Sequence, residues 1–494
     1  MGSGNKAREA EKRLLKEFPM LKEIARRRPL YFEKLANTVG ACAEYGERYI
    51  APVALELDRK LEKEHDYFPW DLVNAALPYR LLSLVIPSMV GGIGGLAVLF
   101  ALAMEELCSY CAGIANIFGA HALGVSPILV SGSMAHWESV LREVVEEEKR
   151  GNPVILAAAV TEPSAGTDVE EPHFLTRAKL SMEAKKVKGG YLLNGRKCFI
   201  SNGSVAKYTL LCCATDRLRP LETWTTFLVE SGMEGFSVPR VEEKMGQRAC
   251  PAAELSFEDC FVPEENVLAF EGDGMQPGTL LILAASRAPV GAIATGIARG
   301  AYEWFLKWAQ RERKGKRPIE KQVVQMALAK MRSRIQASRW AYMNAALSFD
   351  NSLGKVMRSP VTHSISLLPE RVRVSNPWKR FFLSAYGKRL SEFLISASTS
   401  LEEVTEALGY ASLAKALGGD TAVFVSSLAL EVMGLEDCEE REWIEKAYRD
   451  AKLTQIYEGT NQLNQLTLYM TQIGGELSVE LKRPLFGFSS RRVV

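Results

Sequence analysis

The sequence has almost no excess of charge of either sign. Its 494 residues include 61 Lys and Arg and 59 Asp and Glu, which gives a formal net charge of +2 at pH 7. A protein that binds nucleic acid or a membrane surface broadly usually carries a marked basic excess. The overall composition therefore argues against both classes, although a local basic patch could still bind nucleic acid or a membrane surface.

Cysteines are few and lack the spacing of a metal or redox site. Nine are spread from Cys42 to Cys438, and the one CxxC pair, Cys108 and Cys111, lies in an apolar, helix-like stretch without a second pair or an adjacent histidine. Thiols in such stretches are usually small core residues. We expect no metal site, and the pattern favours a reducing compartment, which we take to be the cytoplasm.

A targeting segment and a membrane span are also missing from the pattern. The charged run at residues 6–16 contains Glu9 and Glu11, unlike a mitochondrial presequence, and no apolar signal core precedes it. The uncharged segment 81–104 is interrupted by Pro87 and two glycine pairs, which would break a spanning helix. We expect a buried helix there, preceded by an apolar loop.

Three regions of different periodicity follow one another. Residues 1–150 and 276–494 show helical periodicity, whereas residues 151–275 contain short strand-like runs typical of a small antiparallel barrel or sandwich. Within the middle region, residues 191–200 indicate two short strands joined by an Asn194–Gly195 hairpin turn. The expected architecture is α+β with three domains: helical, β and helical.

Three local sequences carry candidate chemistry. Residues 157–168, AAAVTEPSAGTD, would let backbone N–H groups approach a phosphate or a planar ring closely. On the predicted strand, Phe199 and Ser201 are two residues apart and so point to one face, where they could pack a ring and hydrogen-bond its edge. Glu458 lies among apolar and glycine residues where a helical pattern breaks, and desolvation would make such a carboxylate a better base. Each motif alone also fits an ordinary turn or loop.

Taken together, these motifs resemble the acyl-CoA dehydrogenase family. Residues 161–168 are similar to the family's "TEPxAGSD", residues 194–203 to "NGxKxWITNG", and residues 449–465 to "RDAKxxxIYEGTNQIQR". Residues 243–248 and 257–266 are also similar to family motifs in order and spacing. The resemblance covers about residues 50–469 and implies a C-terminal four-helix bundle with a flavin between it and the β domain.

The resemblance implies a site that binds FAD and an acyl-CoA. Glu458 would remove the α-proton of the thioester while the β-hydrogen leaves to the flavin, giving a trans-2-enoyl-CoA. The implied substrate contacts are Thr167, Arg287 and Glu458. The implied cofactor contacts are Ala158, Val160, Thr161, Gly166, Thr167, Phe199, Ser201, Arg311, Gln322, Gly459, Thr460 and Gln462. An electron-transfer flavoprotein as electron acceptor and a homotetramer or homodimer are further implications.

Several positions depart from the family pattern. Relatives with an alternative base carry a Glu before the Arg that opens a bundle helix, and here that pair is Ser286–Arg287, which leaves Glu458 as the base. Phe199 and Ser201 replace the usual Trp and Thr. The Phe of "RxxFG" is Lys314, and "QILGGxG" is eroded at residues 431–437, so the adenine of FAD must be held differently.

A basic insertion and two alternative functions stay open. About 50 extra residues, at about 351–411, hold eight Lys and Arg against five Glu and form either a solvated surface excursion or a cap or docking element. An acyl-CoA oxidase would share base and flavin but is usually longer. A catalytically idle relative that serves as a binding or scaffold protein is the other alternative. The sequence does not define the acyl chain.

Overall fold

The computed structural model describes residues 3–131, 133–268, 278–313, 315–357, 377 and 401–473. The helices are α1 (Ser3–Glu17), α2 (Leu21–Arg27), α3 (Pro29–Tyr45), α4 (Ala54–Lys63), α5 (Trp70–Ala76), α6 (Ala97–Cys108), α7 (Ala112–Val130), α8 (Met134–His136), α9 (Arg142–Arg150), α10 (Pro172–Leu175), α11 (Pro220–Thr223), α12 (Gly278–Gln310), α13 (Gln322–Met357), α14 (Leu401–Met433), α15 (Glu439–Thr454) and α16 (Asn461–Leu468). The strands are β1 (Leu156–Ala159), β2 (Glu183–Val187), β3 (Gly190–Ser201), β4 (Tyr208–Ala214), β5 (Trp224–Glu230), β6 (Phe236–Val241) and β7 (Ala252–Pro263). The helical, β, helical order is confirmed, while the domain limits at 150/151 and 275/276 stay predictions.

The N-terminal region is organised around α6 and α7. Every residue of α6 is buried, and turns at residues 81–96 precede it, as expected for the uncharged segment. Among the described helices, α7, α12 and α14 are long and apolar enough to span a membrane by length and composition alone. Their most apolar windows are 67%, 83% and 50% buried inside the protein, so these helices supply much of its core.

The β region consists of two sheets with a shared core. The strand orders are β1-β4-β5 and β2-β3-β7-β6. Side chains from both sheets, including Leu211, Phe227, Leu255 and Phe257, form one apolar cluster. Every pairing is antiparallel except that of β1 with β4, so the purely antiparallel prediction needs this one correction.

The predicted Asn194–Gly195 hairpin is wrong. β3 runs unbroken through both residues, because its two halves pair with successive parts of the same partner strand, β7. Asn194 lies opposite a bulge of β7 at Glu258 and Asp259, and its Oδ1 accepts from the Asp259 backbone N–H at 2.9 Å. Gly195 has a φ of 132° that other residues rarely adopt. The turn that joins β2 to β3 lies at residues 188 and 189, just before the motif.

The C-terminal helices α12, α13, α14 and α15 pack as a four-helix bundle. The stripe predicted on α12 is buried as expected: Ala294, Ile297, Ala301, Phe305 and Trp308 are all at most 4% exposed. Two glycines let α12 approach its neighbours. A Cβ at position 291 would come within 2.7 Å of the Ala414 carbonyl oxygen, and one at position 296 within 2.5 Å of the Glu105 carbonyl oxygen. The bundle therefore holds α12 rigidly against both α14 and α6.

A buried ionic network joins α1, α6, α12 and α13. Arg339 donates to Glu105 at 2.7 and 3.0 Å and to Glu17 at 2.6 Å, while Arg299 donates to Glu106 at 2.8 Å. Desolvation raises the pKa of Glu105, but the charges of Arg339 and Arg299 outweigh it and lower the pKa to about 2. Arg339 and Glu105 are 2% and 3% exposed, so the network is sheltered from solvent screening.

The basic insertion lies largely outside the described residues. Its first part, residues 351–357, continues α13, and residues 401–411 belong to α14. Both flanks are therefore extensions of bundle helices.

Candidate active site

Glu458 lies in a tight turn between two helices. α15 ends at Thr454 and α16 begins at Asn461, whose preceding residue Thr460 caps it by accepting from the Leu463 N–H at 3.2 Å. Glu458 and Gly459 have φ of 55° and 75°, the left-handed region that a residue other than glycine adopts only at a cost of about 1–2 kcal/mol. The turn is thus held by its surroundings in a conformation that the chain alone would avoid.

Side chains from α14 and α16 hold this turn by its carbonyl groups. Asn464 Nδ2 donates to the carbonyl oxygens of Gly459 at 2.9 Å, Thr460 at 3.0 Å and Glu458 at 3.2 Å. The fully buried Lys415 donates to the Gly459 carbonyl and, at 3.0 Å, to Asn461 Oδ1. Desolvation lowers the pKa of Lys415 to about 7, against an ordinary value of 10.5.

The Glu458 side chain faces α12 near its N-terminal end. Ser286 Oγ donates to Glu458 Oε2 at 2.6 Å, a charge-assisted hydrogen bond that fixes the direction of the carboxylate. Arg287, the next residue, is fully buried and donates to Ser412 Oγ at 3.0 Å. The Ser286–Arg287 pair therefore takes part in the site, although it carries no base.

A second carboxylate, which the sequence did not reveal, lies beside the first. Glu170 closes the 3₁₀ turn Thr167–Glu170 that follows the AAAVTEPSAGTD loop, and its Oε2 is 3.6 Å from Arg287 Nη2. Burial and the nearby Glu458 raise the pKa of Glu170 to about 7. The sequence holds one signal for each of the two charged residues that it did not reveal, Glu170 and Lys415. Glu170 is an acidic residue directly after a candidate ligand loop, and Lys415 is an isolated charge in an apolar helical stretch.

The AAAVTEPSAGTD loop is fastened to β3 by a buried ion pair. Lys197 Nζ, which is fully buried, donates to the Val160 carbonyl at 2.7 Å and to Glu162 Oε1 at 3.1 Å. The Cys198 N–H donates to the Thr161 carbonyl at 3.0 Å. The loop and the strand that carries Phe199 are consequently one rigid unit.

Phe199 and Ser201 do not follow simple strand alternation. A register shift lies between Lys197 and Ile200, and Phe199 has a φ of 57°. The bulge breaks the period of two on which the one-face prediction rested. The ring of Phe199 is 63% exposed, whereas Ser201 is half-buried. A large aromatic ring held in the open by a strained backbone is unusual unless it meets a ligand or partner.

The described structure brings together only part of the predicted site. One group lies on the loop and strand that Lys197 joins: residues 158–167, Phe199 and Ser201. A second group lies at the turn of the proposed base, where Arg287 is beside Glu458 and Gly459. Thr460 caps α16, and Gln462 is exposed on its first turn. A Cβ at Gly166 would meet only Thr161 Cγ2, at 3.8 Å, so the loop leaves open space there.

Arg311 and Gln322 lie far from Glu458. Arg311 follows the end of α12, 24 residues after Arg287, which places it about 36 Å away along the helix at 1.5 Å per residue. It pairs with Glu440, at 3.3 Å, and Gln322 is the first residue of α13. Neither residue can contact the Glu458 turn of its own chain. No cluster of three or more His, Cys, Asp or Glu suited to a metal occurs among the residues described.

Sequence profiles of three domains match the chain in this order. The N-terminal domain of acyl-CoA dehydrogenase matches residues 34–148, its middle domain 157–260, and its C-terminal domain 274–363 and 390–473. The chain belongs to the acyl-CoA dehydrogenase family, as the motifs indicated.

Individual relatives agree with this assignment over most of their length. The chain is 32% identical to the cyclohex-1-ene-1-carbonyl-CoA dehydrogenase of Syntrophus aciditrophicus over 424 residues, which cover 85% of each chain. Its fold matches butyryl-CoA dehydrogenase from Megasphaera elsdenii with a TM-score of 0.69 and 26% identity, covering 90% and 98% of the two chains. A chain in the structure of the electron transferring flavoprotein of Acidaminococcus fermentans matches with a TM-score of 0.70 and 27% identity, covering 89% and 98%.

Proposed function

We propose that the protein is an FAD-dependent acyl-CoA dehydrogenase that converts an acyl-CoA thioester to its trans-2-enoyl-CoA. The observation that carries the proposal is the Glu458 carboxylate, oriented by Ser286 at 2.6 Å and presented from a left-handed turn close to the loop that precedes Glu170. A half-buried carboxylate with a fixed direction is suited to take a proton from a bound substrate.

The residues around the loop fit a flavin. The exposed ring of Phe199 offers an apolar surface for a planar group, and Arg287 Nε and Nη2 are buried donors that lack a hydrogen-bond partner within the described structure. Open space at Gly166 lets backbone N–H groups approach a ligand. When bound, the flavin would accept the hydride that leaves the β-carbon. The chain itself would orient the thioester, exclude water and take the α-proton at the Glu458 carboxylate.

Replacing Phe199 with alanine is expected to lower the affinity for FAD by about 3- to 10-fold, the usual worth of an aromatic stacking contact. Because the ring is exposed, the free energy of unfolding of the flavin-free protein should change by no more than about 0.5 kcal/mol. Fluorescence titration of the flavin-free protein with FAD measures the first quantity. Phe261→Ala, which removes another exposed aromatic ring of the same sheet, is the control and should leave FAD affinity unchanged.

The position of Arg311 supports a homodimer or larger homo-oligomer. A residue about 36 Å along α12 from the Glu458 site could contact only the flavin of a second copy. Arg311→Ala is therefore expected to lower FAD affinity by about 10- to 100-fold, as for loss of a charged hydrogen bond. Oligomers mixed from Arg311→Ala and Glu458→Gln chains should recover activity. A site that takes Glu458 from the Arg311→Ala chain and Arg311 from the Glu458→Gln chain has both native residues, whereas the reciprocal site has neither. Mixed oligomers no more active than either variant alone would contradict a shared site.

Turnover with a defined electron acceptor tests the proposed function. We infer a short or cyclic acyl group, because similar proteins are named for butyryl-CoA and cyclohex-1-ene-1-carbonyl-CoA. An electron-transfer flavoprotein as acceptor is supported by the likeness to a chain in the structure of the electron transferring flavoprotein of Acidaminococcus fermentans. Each thioester would be incubated anaerobically with enzyme and electron-transfer flavoprotein, and the product analysed by mass spectrometry. A product lighter by two hydrogens supports the proposal. Turnover that occurs only in a parallel incubation with oxygen and without electron-transfer flavoprotein would indicate an oxidase.

We also propose a cytoplasmic location. All nine cysteines are free thiols, and eight of them are buried, as expected for a protein that stays in a reducing compartment.

A further inference from the structure

Glu170 has no part in the chemistry proposed above, yet it contacts the turn of the catalytic base. A Cβ at position 459 would come within 3.0 Å of Glu170 Oε2, so the Glu170 carboxylate lies against Gly459. The Glu170 side chain is only 19% exposed. A carboxylate is therefore packed directly against the peptide group that follows Glu458.

The groups that face Glu170 come from three other elements. They are Arg287 on α12, Lys415 on α14 and Glu458 in the turn before α16. The ion pair with Arg287 is long, at 3.6 Å, and Glu170 Oε2 and Arg287 Nη2 lack a hydrogen-bond partner within the described residues. Arg287 and Lys415 offset only part of the negative charge of Glu170. Because the site is poorly solvated, the remaining charge acts on Glu458 with little screening.

We propose that Glu170 is a positioning residue for Glu458: its carboxylate packs against Gly459, pairs with Arg287 and so fixes the turn that presents the Glu458 carboxylate. Lys415 donates to the carbonyl oxygen of Gly459, so Glu170 and Lys415 both contact the residue that follows Glu458. This inference rests on the proposed function, in which Glu458 is the base.

Two substitutions separate the charge of Glu170 from its contact. Glu170→Gln keeps the shape of the side chain but removes the charge, which wild-type Glu170 loses as the pH falls below its pKa of about 7. The acid limb of kcat/KM should therefore move to lower pH by about one unit, with the plateau lowered roughly tenfold. Glu170→Asp keeps the charge but moves it back by one methylene group. The plateau of kcat/KM should therefore fall, while its acid limb should move less than in Glu170→Gln. Glu171→Gln, a buried neighbour that accepts from Thr467, is the matched control and should leave the limb in place.

A readout without substrate separates this inference from the proposed function. A carboxyl whose folded-state pKa is about 7, against 4.5 ordinarily, costs stability progressively as pH rises from about 4.5 to 7. Glutamine does not titrate, so the Tm of Glu170→Gln minus that of the wild type should increase between about pH 5 and pH 8. A pH-independent difference in Tm, or an unmoved acid limb in an active variant, would overturn the inference. Absence of turnover in the wild type would instead count against the proposed function alone.

Discussion

Replacing Glu458 with glutamine is expected to lower the rate of flavin reduction by an acyl-CoA about 1,000-fold. A general base contributes about 10²- to 10⁴-fold, and glutamine keeps the shape of the side chain and can accept from Ser286, but cannot take a proton. Rapid mixing of anaerobic enzyme with substrate measures the rate directly. FAD content and Tm should stay close to wild type, because the turn is held by Asn464 and Lys415 rather than by the carboxylate.

Two further variants define the specificity of that loss. Ser286→Ala removes the donor that orients the carboxylate but leaves the base, so we expect a fall of only about tenfold. Glu445→Gln alters an exposed glutamate on α15 that pairs with Arg441 and should have no effect on the rate. If Glu458→Gln reduced flavin at more than about a tenth of the wild-type rate, another residue would have to be the base.

Arg339→Met is expected to lower the free energy of unfolding by about 3–5 kcal/mol. The substitution removes the closest cation from Glu105 and one of the two arginines that pair with Glu17. Arg299, at 3.6 Å from Glu105, and Arg332 beside Glu17 compensate these carboxylates only in part, and a poorly compensated buried charge is far more costly than a missing surface ion pair. Denaturant unfolding measures the change. Arg441→Met, which breaks the more exposed pair with Glu445, should cost no more than about 1 kcal/mol.

The same network has a defined pH dependence. The folded-state pKa of Glu105 is about 2, below its ordinary 4.5, so its contribution is fully present above about pH 4.5 and is lost as pH falls toward 2. The difference in stability between wild type and Arg339→Met should narrow over that range. A difference that is small at neutral pH would show that the network does not stabilise the contact between α1 and the bundle.

The sequence predicted the features that depend on local order along the chain. The succession of helical and strand-like periodicity and the break that contains Glu458 can both be recognised without a structure. The Asn194–Gly195 hairpin prediction was wrong because a turn-forming dipeptide also fits a strand opposite a bulge, and only the pairing of β3 with β7 distinguishes the two. The same pairing shifts Phe199 out of the alternation that would align it with Ser201.

Contacts between distant segments could not be predicted in the same way. Glu170 and Lys415 are 245 positions apart, and only the packing of the bundle on the β region brings both to Gly459. Arg311 shows the opposite case, since its motif suggested a cofactor contact but the length of α12 removes it from the site of its own chain.

Anaerobic mixing of the FAD-loaded protein with a series of acyl-CoA thioesters shows whether Glu458 acts as the base of a dehydrogenase. We expect at least one thioester to bleach the visible absorbance of the oxidised flavin, with one enoyl-CoA formed per flavin reduced, and Glu458→Gln to bleach about 1,000-fold more slowly. A flavin that stays bound and oxidised with every thioester would contradict the claim that Glu458 is the base of an acyl-CoA dehydrogenase.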